Sequence, residues 1–221
     1  MKFLLTSAGI KNSSIHTALV ELLGKPITEA SALCIPTAIY PFPGGPSMAY
    51  RFISGATANP MCELGWKSLG VLELTALPSI KQEYWIAAVR EANALLVQGG
   101  DVFYLCRWMR DSGLADLLPS LRETVYVGIS AGSMVTAPIF GETYNDPNQP
   151  FVIDNGLGLV DFALLPHVDH KDHPESSMVK VERMAAEVSV PTYAIDDETA
   201  IKVIDGVVEI VSEGHWKRFT H

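Results

Sequence analysis

A serine set between two glycines directly after an apolar run, in Tyr126-Val127-Gly128-Ile129-Ser130-Ala131-Gly132-Ser133, is an arrangement suited to nucleophilic chemistry. The pattern G-x-S-x-G fits a sharp strand-to-helix turn, in which Gly128 and Gly132 relieve crowding while Ser130 lifts its hydroxyl above a sheet edge. A helix begun there aims free backbone N–H groups at the same spot, where an oxyanion formed beside Ser130 would be stabilised. Small residues also recur wherever a strand packs closely on a helix, so the pattern alone fits a packing turn equally well.

Serine is a poor nucleophile until a base takes its proton, and the pattern therefore calls for a histidine and for a carboxylate to orient it. Of the six histidines, His16 falls on a predicted helix and His215 and His221 lie in the tail. That leaves Leu164-Leu165-Pro166-His167-Val168-Asp169-His170-Lys171-Asp172-His173, in which His167 directly follows an apolar strand and stands at the sheet's carboxyl edge. The plainer alternative is a solvated polar loop. A carboxylate is offered by Asp196-Asp197-Glu198, after the apolar run Thr192-Tyr193-Ala194-Ile195, and spacing does not choose among the three acids or exclude a simple acidic turn. His167, His170 and His173, with Asp169 and Asp172 between them, are also types that bind zinc. Pro174 and the polarity of the run oppose a regular helix, which this spacing would need to bring the three side chains onto one face, and no metal site is expected.

The elements that must hold these residues read as alternating strands and helices. Phe3 to Thr6 is a strand ending in a Ser-Ala-Gly turn, followed by a helix from Ser14 to Leu23 with Ile15, Leu19, Leu22 and Leu23 on its apolar side. Ala32 to Pro36 is a strand, Tyr40 to Ser47 a Pro/Gly-rich loop, Ser68 to Leu74 a strand, and Lys81 to Ala92 a helix. Ala94 to Val97 runs into Gln98-Gly99-Gly100-Asp101 and a helix from Val102 to Arg110, placing glycines where open parallel sheets bind their ligands. Val125 to Ile129 leads into the serine turn. Beyond it come an apolar segment from Gly158 to Leu165, a helix near Met178 to Val188, the strand Thr192 to Ile195, and a hairpin of Ala200 to Ile204 with Val207 to Val211 around Asp205-Gly206. The segments Tyr40 to Asn59 and Glu142 to Val152 lack core periodicity and are expected to wall a pocket.

The 221 residues suit one α/β domain, residues 1–221, with a substantial core. Hydrophobic residues make up 48% and charged residues 19%, which excludes disorder, while a net charge of -9 without a Lys/Arg cluster opposes nucleic acid and anionic membrane as partners. Cys34, Cys62 and Cys106 are odd in number and lack C-x-x-C spacing, so no disulfide framework is expected. With no signal peptide or apolar stretch of transmembrane length, the chain reads as soluble and cytoplasmic. Nothing in it chooses between monomer and homodimer.

Leu5-Thr6-Ser7-Ala8-Gly9, Ile35-Pro36-Thr37-Ala38, Gln98-Gly99-Gly100-Asp101-Val102-Phe103, Gly128-Ile129-Ser130-Ala131-Gly132, Leu165-Pro166-His167 and Ile195-Asp196-Asp197-Glu198-Thr199-Ala200 occur in order. Together they resemble the dipeptidase E and cyanophycinase family of serine peptidases over nearly the whole chain. The resemblance implies a three-layer, flavodoxin-like α/β fold of the class I glutamine amidotransferase type: a mostly parallel sheet, helices on both faces, and here a C-terminal hairpin. It implies Ser130 as nucleophile, His167 as general base, and the backbone N–H groups of Gly100 and Ala131 as oxyanion hole, with no cofactor. Asp197 stands where the family usually has a glutamate. Being one methylene shorter, it must approach His167 more closely or leave the histidine oriented by something else.

The implied activity is cleavage of short peptides through an acyl-enzyme, with aspartyl dipeptides as the first substrates to try. Such peptidases are expected to hold the acidic side chain with an arginine shortly after the catalytic histidine, yet Pro174-Glu175-Ser176-Ser177-Met178 has none. Lys171 and Arg183 are the possible substitutes, with surface charge as their simpler role. Cyanophycinase-like cleavage of an aspartate-arginine polymer and a non-catalytic amidotransferase-like binding module are the alternative readings.

Overall fold

A computed structural model describes residues 1–142 and 152–220. The chain begins with strand β1 (Lys2–Thr6), whose next segment, α1 (Ser13–Leu23), is started by Asn12, its side chain accepting from Ile15 N–H at 2.9 Å. Such a cap contributes about 1 kcal/mol. Gly24, at φ 67°, ends the helix in the left-handed conformation that glycine adopts without strain. The chain continues through β2 (Ser31–Ile35), α2 (Gly45–Ile53), β3 (Ser68–Val71), α3 (Gln82–Glu91), β4 (Ala94–Val97), α4 (Val102–Asp111) and the short α5 (Leu114–Leu117). It then forms β5 (Val125–Ile129), α6 (Ala131–Met134), β6 (Ile139–Glu142), β7 (Val152–Asn155), β8 (Ala163–Leu165), α7 (Met178–Glu187), β9 (Thr192–Ile195), β10 (Thr199–Ile204), β11 (Val207–Ser212) and β12 (Trp216–Phe219).

Seven strands form the main sheet in the order β11-β10-β1-β5-β4-β2-β3. From β1 through β3 every pairing is parallel, and the C-terminal hairpin β10–β11 adds two antiparallel strands beyond β1. Alternation along the strands divides the core between the two faces. Phe3, Leu5, Leu95, Val97 and Tyr126 pack with Trp85 and Val89 of α3 and Leu105 and Met109 of α4. Leu4, Ala94, Leu96, Val125 and Val127 pack on the opposite side with Ile15, Leu19 and Leu22 of α1 and Phe52 of α2. The result is the expected three-layer α/β arrangement.

Several local expectations need correction. The stretch read as a loop from Tyr40 to Ser47 contains the start of α2, which tolerates Pro46 because an N–H in the first turn of a helix has no intrahelical hydrogen bond to lose. The strand expected to reach Leu74 stops at Val71. Leu72 N–H still bonds Cys34 O at 2.8 Å, but Glu73 Oε1 then accepts from Thr75 N–H at 3.1 Å and turns the chain away. Of Gly158 to Leu165 only the last three residues are strand. That strand does not join the main sheet: β8 pairs in parallel with β9, which pairs with β12 in a separate three-stranded sheet. Residues 143–151, within one of the two expected pocket walls, lie outside the described residues.

Candidate active site

The parallel strands β1, β2, β4 and β5 all end at one edge of the main sheet, so Ser7, Thr37, Gly99 and Ser130 follow four strand ends side by side. Ser130 takes φ 48° and ψ −112°, a strained conformation for a residue with a side chain. The surrounding structure holds it there. Its N–H donates to Thr6 O at 2.9 Å, while Ser133 Oγ donates to Thr6 O at 2.8 Å and accepts from Thr6 N–H at 2.9 Å. Buried Tyr126 donates its hydroxyl to Gly132 O at 2.6 Å, tying the start of α6 to β5.

Glycine is required around this turn because backbone meets backbone. A Cβ on Gly128 would lie 2.7 Å from the Gly132 carbonyl carbon, and one on Gly132 would run into Val97 O. A Cβ on Gly99 would lie 3.1 Å from that of Ser130, so the end of β4 passes directly beside the serine. Gly100, at φ 144°, has Ala38 O where a side chain would go. Among the described residues, neither the Gly100 nor the Ala131 N–H has a hydrogen-bond partner.

The small sheet supplies the other side. Chain leaving β8 places His167 at φ 59°, and chain leaving the adjacent β9 places Asp197 beside it. His167 Nδ1 lies 2.7 Å from Asp197 Oδ1, with side chains only 14% and 19% exposed. An ionised carboxylate only accepts, so Nδ1 carries the hydrogen and Nε2 keeps the lone pair that a base needs. Burial opposes ionisation of Asp197. The hydrogen bond from His167 and the charges of His167, His170 and Lys11 outweigh that effect and hold its carboxyl below the ordinary range.

The neighbouring acids are engaged elsewhere. Asp196 Oδ1 accepts from Thr199 Oγ1 at 2.6 Å and Oδ2 from His215 N–H at 2.7 Å, while Glu198 Oε2 accepts from Asn12 Nδ2 at 3.0 Å. Of the three acids, Asp197 is the one whose carboxylate lies beside His167.

His170 and His173 gather around the same point through a turn, not a regular helix. The His173 ring stacks on His167 with centroids 4.4 Å apart and planes 15° from parallel, and its Nδ1 lies 2.9 Å from Glu175 Oε1. His170 Nδ1 accepts from Asp172 N–H at 3.2 Å, which leaves its hydrogen on Nε2, 3.6 Å from Asp197 Oδ2. Among the described residues, no group of three or more His, Cys, Asp or Glu side chains is disposed to hold a metal ion. Cys34, Cys62 and Cys106 are buried and free.

Sequence reasoning gave no role to Ser7, although the Leu5-to-Gly9 motif contained it. Its buried hydroxyl accepts from His167 N–H at 3.1 Å and donates to Ile195 O at 3.1 Å, joining the end of β1 to the chain on either side of the His167–Asp197 pair. Glu175 was likewise missed, since its pairing depends on the fold of a turn that has no periodic signal.

Ser130, His167, Gly99 and Gly100 line one cavity of about 490 Å³. Its walls include α2, the segment at Thr57–Asn59, and α7, so part of the expected wall from Tyr40 to Asn59 does face it. Lys171 and Arg183 do not line it.

An open, mostly parallel sheet with a cavity over its carboxyl edge is the plan of an α/β enzyme. Residues 3–211 match the family model of Peptidase family S51, and the chain belongs to that family of peptidases. It is 30% identical over 124 residues to Peptidase E of Shewanella denitrificans, covering 52% of each chain. It is 29% identical over 124 residues to the Drosophila melanogaster protein named "Probable alpha-aspartyl dipeptidase", again covering 52% of each. The chain therefore spans about half the length of these curated relatives. A solved peptidase from an acI-B1 Actinobacterium matches at a TM-score of 0.67 and 17% identity over 99% of this chain and 93% of that one, a likeness of fold. No helix among the described residues is long and apolar enough to cross a membrane.

Proposed function

We propose that this chain is a serine peptidase acting on short peptides, with Ser130 as nucleophile, His167 as general base and Asp197 as the acid that orients it. The observation that carries the reading is the 2.7 Å contact of Asp197 with His167, which lines the same cavity as the strained Ser130. His167 takes the Ser130 hydroxyl proton as Oγ attacks the scissile carbonyl, and the imidazolium gains its stabilisation from Asp197. The tetrahedral oxyanion is held by the unpartnered N–H groups of Gly100 and Ala131, each such donor contributing roughly 3–4 kcal/mol to the transition state. His167 then protonates the leaving amine. Water, deprotonated by the same imidazole, releases the acyl group and restores Ser130.

A fluorophosphonate probe tests this directly. Labelling mapped to Ser130, and loss of both labelling and dipeptide hydrolysis in Ser130→Ala, are the expected results. Undiminished hydrolysis in that variant would remove the reading.

A further inference from the structure

Resting on the serine-peptidase reading, we infer that Arg51 is a specificity-determining residue that holds a carboxylate of the peptide substrate. Among the described residues that line the cavity with Ser130, it is the one lysine or arginine. Its Nε–H and one Nη2–H both donate to Ala56 O, at 3.3 and 3.2 Å, and the guanidinium has no other partner among the described residues. A neutral carbonyl leaves its charge unbalanced. Glu175, the one carboxylate among those lining residues, lies instead 2.9 Å from His173 Nδ1.

A guanidinium presents its N–H donors in a planar fork. The edge made by Nε and Nη2 is taken by Ala56 O, which leaves the end where an Nη1–H and the second Nη2–H run parallel and match the two oxygens of a carboxylate. These donors are held in place before a ligand arrives. Arg51 lies in the last turn of α2, and its carbonyl accepts from Ala56 N–H at 2.7 Å, so backbone and side chain both clasp residue 56, next to the Thr57–Asn59 segment of the cavity wall. Such preorganisation lowers the cost of binding. A net charge of -9 sets the chain as a whole against anions, so a substrate carboxylate needs a local cation. A short peptide carries one on an acidic side chain or at its C-terminus, and the fork fits either.

The test is isothermal titration calorimetry on Ser130→Ala, which leaves the peptide uncleaved, with three ligands: aspartyl-leucine, its side-chain amide asparaginyl-leucine, and its C-terminal amide. Removing the carboxylate that Arg51 holds is expected to weaken binding about tenfold or more. A loss with asparaginyl-leucine assigns the side chain to Arg51, and a loss with the C-terminal amide assigns the C-terminus. When Arg51→Met is added to Ser130→Ala, that penalty should shrink to about threefold or less, because the acid and its amide then meet the same uncharged wall. Equal affinities for the three ligands in Ser130→Ala, no measurable binding of aspartyl-leucine, or a penalty that persists in Arg51→Met, as it would if the arginine only tied Ala56 to α2, would each overturn the inference. Those outcomes leave the peptidase reading intact, since a fluorophosphonate carries no carboxylate and still labels Ser130 in the Arg51→Met protein. Absent labelling of the parent protein, or labelling that persists in Ser130→Ala, overturns the peptidase reading instead.

Discussion

His173 lies flat against His167, their ring centroids 4.4 Å apart and their planes 15° from parallel, with Glu175 holding the far ring by its Nδ1–H at 2.9 Å. One face of the proposed general base is therefore covered by a ring that is itself tethered. Asp197 fixes one edge of the His167 imidazole, and the stack restrains its tilt.

Replacing that ring separates bracing from chemistry. An aromatic pair contributes about 0.5–1.5 kcal/mol, so His173→Ala is expected to lower kcat by roughly threefold to tenfold with little change in KM. His173→Phe keeps a flat partner without a proton to exchange and should restore most of the loss. Steady-state kinetics on any responsive dipeptide measures both, and equal losses in the two variants would assign His173 to proton transfer.

Asp197→Asn tests the orienting acid. The amide can donate to His167 Nδ1, which then becomes the acceptor and moves the hydrogen to Nε2, where the base needs a lone pair. A fall in kcat of about a hundred- to ten-thousandfold is expected with the fold retained, as measured by kcat alongside circular dichroism.

Asp197 also links stability to pH. Its carboxyl is held below the ordinary aspartate value of 3.8, so the folded state prefers the ionised form. The stabilisation is fully present above the unfolded value and is lost as pH falls from about 3.8 through the lowered folded value. Asp197→Asn should therefore lose stability less steeply than the parent below pH 4, as read from urea midpoints at a series of pH values. Parallel acid profiles would show that the carboxyl is not depressed.

The central strands β1, β4 and β5 were legible because their apolar runs are short, almost wholly buried and followed closely by glycine. Thr192–Ile195 and the Asp205-Gly206 hairpin follow from local pattern alone. Helix α2 was not legible, because Pro46 and two glycines mask the spacing of its buried Ala49 and Phe52. The separate sheet of β8, β9 and β12 was also hidden, since local sequence does not say which sheet a three-residue strand joins. At the site, residue type marked Ser130 and His167. The choice of Asp197 over Asp196 and Glu198 required the partners that occupy the other two, Thr199 and the His215 N–H for one and Asn12 for the other.

Ser7 provides a test of that hidden connectivity. Ser7→Ala leaves the His167 N–H and Ile195 O without the hydroxyl that joins them. The buried donor costs about 1–3 kcal/mol, which lowers Tm by roughly 2–12 °C in a chain of this size. Because the same bond anchors the His167 backbone, kcat should fall as well, while a thermal melt with unchanged kcat would confine Ser7 to structure.

The strain at Ser130 predicts an opposition between stability and activity. At φ 48° and ψ −112° any residue with a Cβ is disfavoured, by about 1–3 kcal/mol. Ser130→Ala removes the nucleophile and keeps that strain. Ser130→Gly removes both, and its extra conformational freedom in the unfolded chain returns only part of the gain, about 0.4–1 kcal/mol. Both variants should be inactive, yet the glycine variant should melt higher than the alanine variant by roughly 2–4 °C, corresponding to a net difference near 1 kcal/mol. Differential scanning calorimetry of the pair decides the point. If the alanine variant is equally stable or more so, the turn is not strained and its geometry is held for packing; if glycine wins, the chain gives up stability to lift a side chain at this one position above the sheet edge.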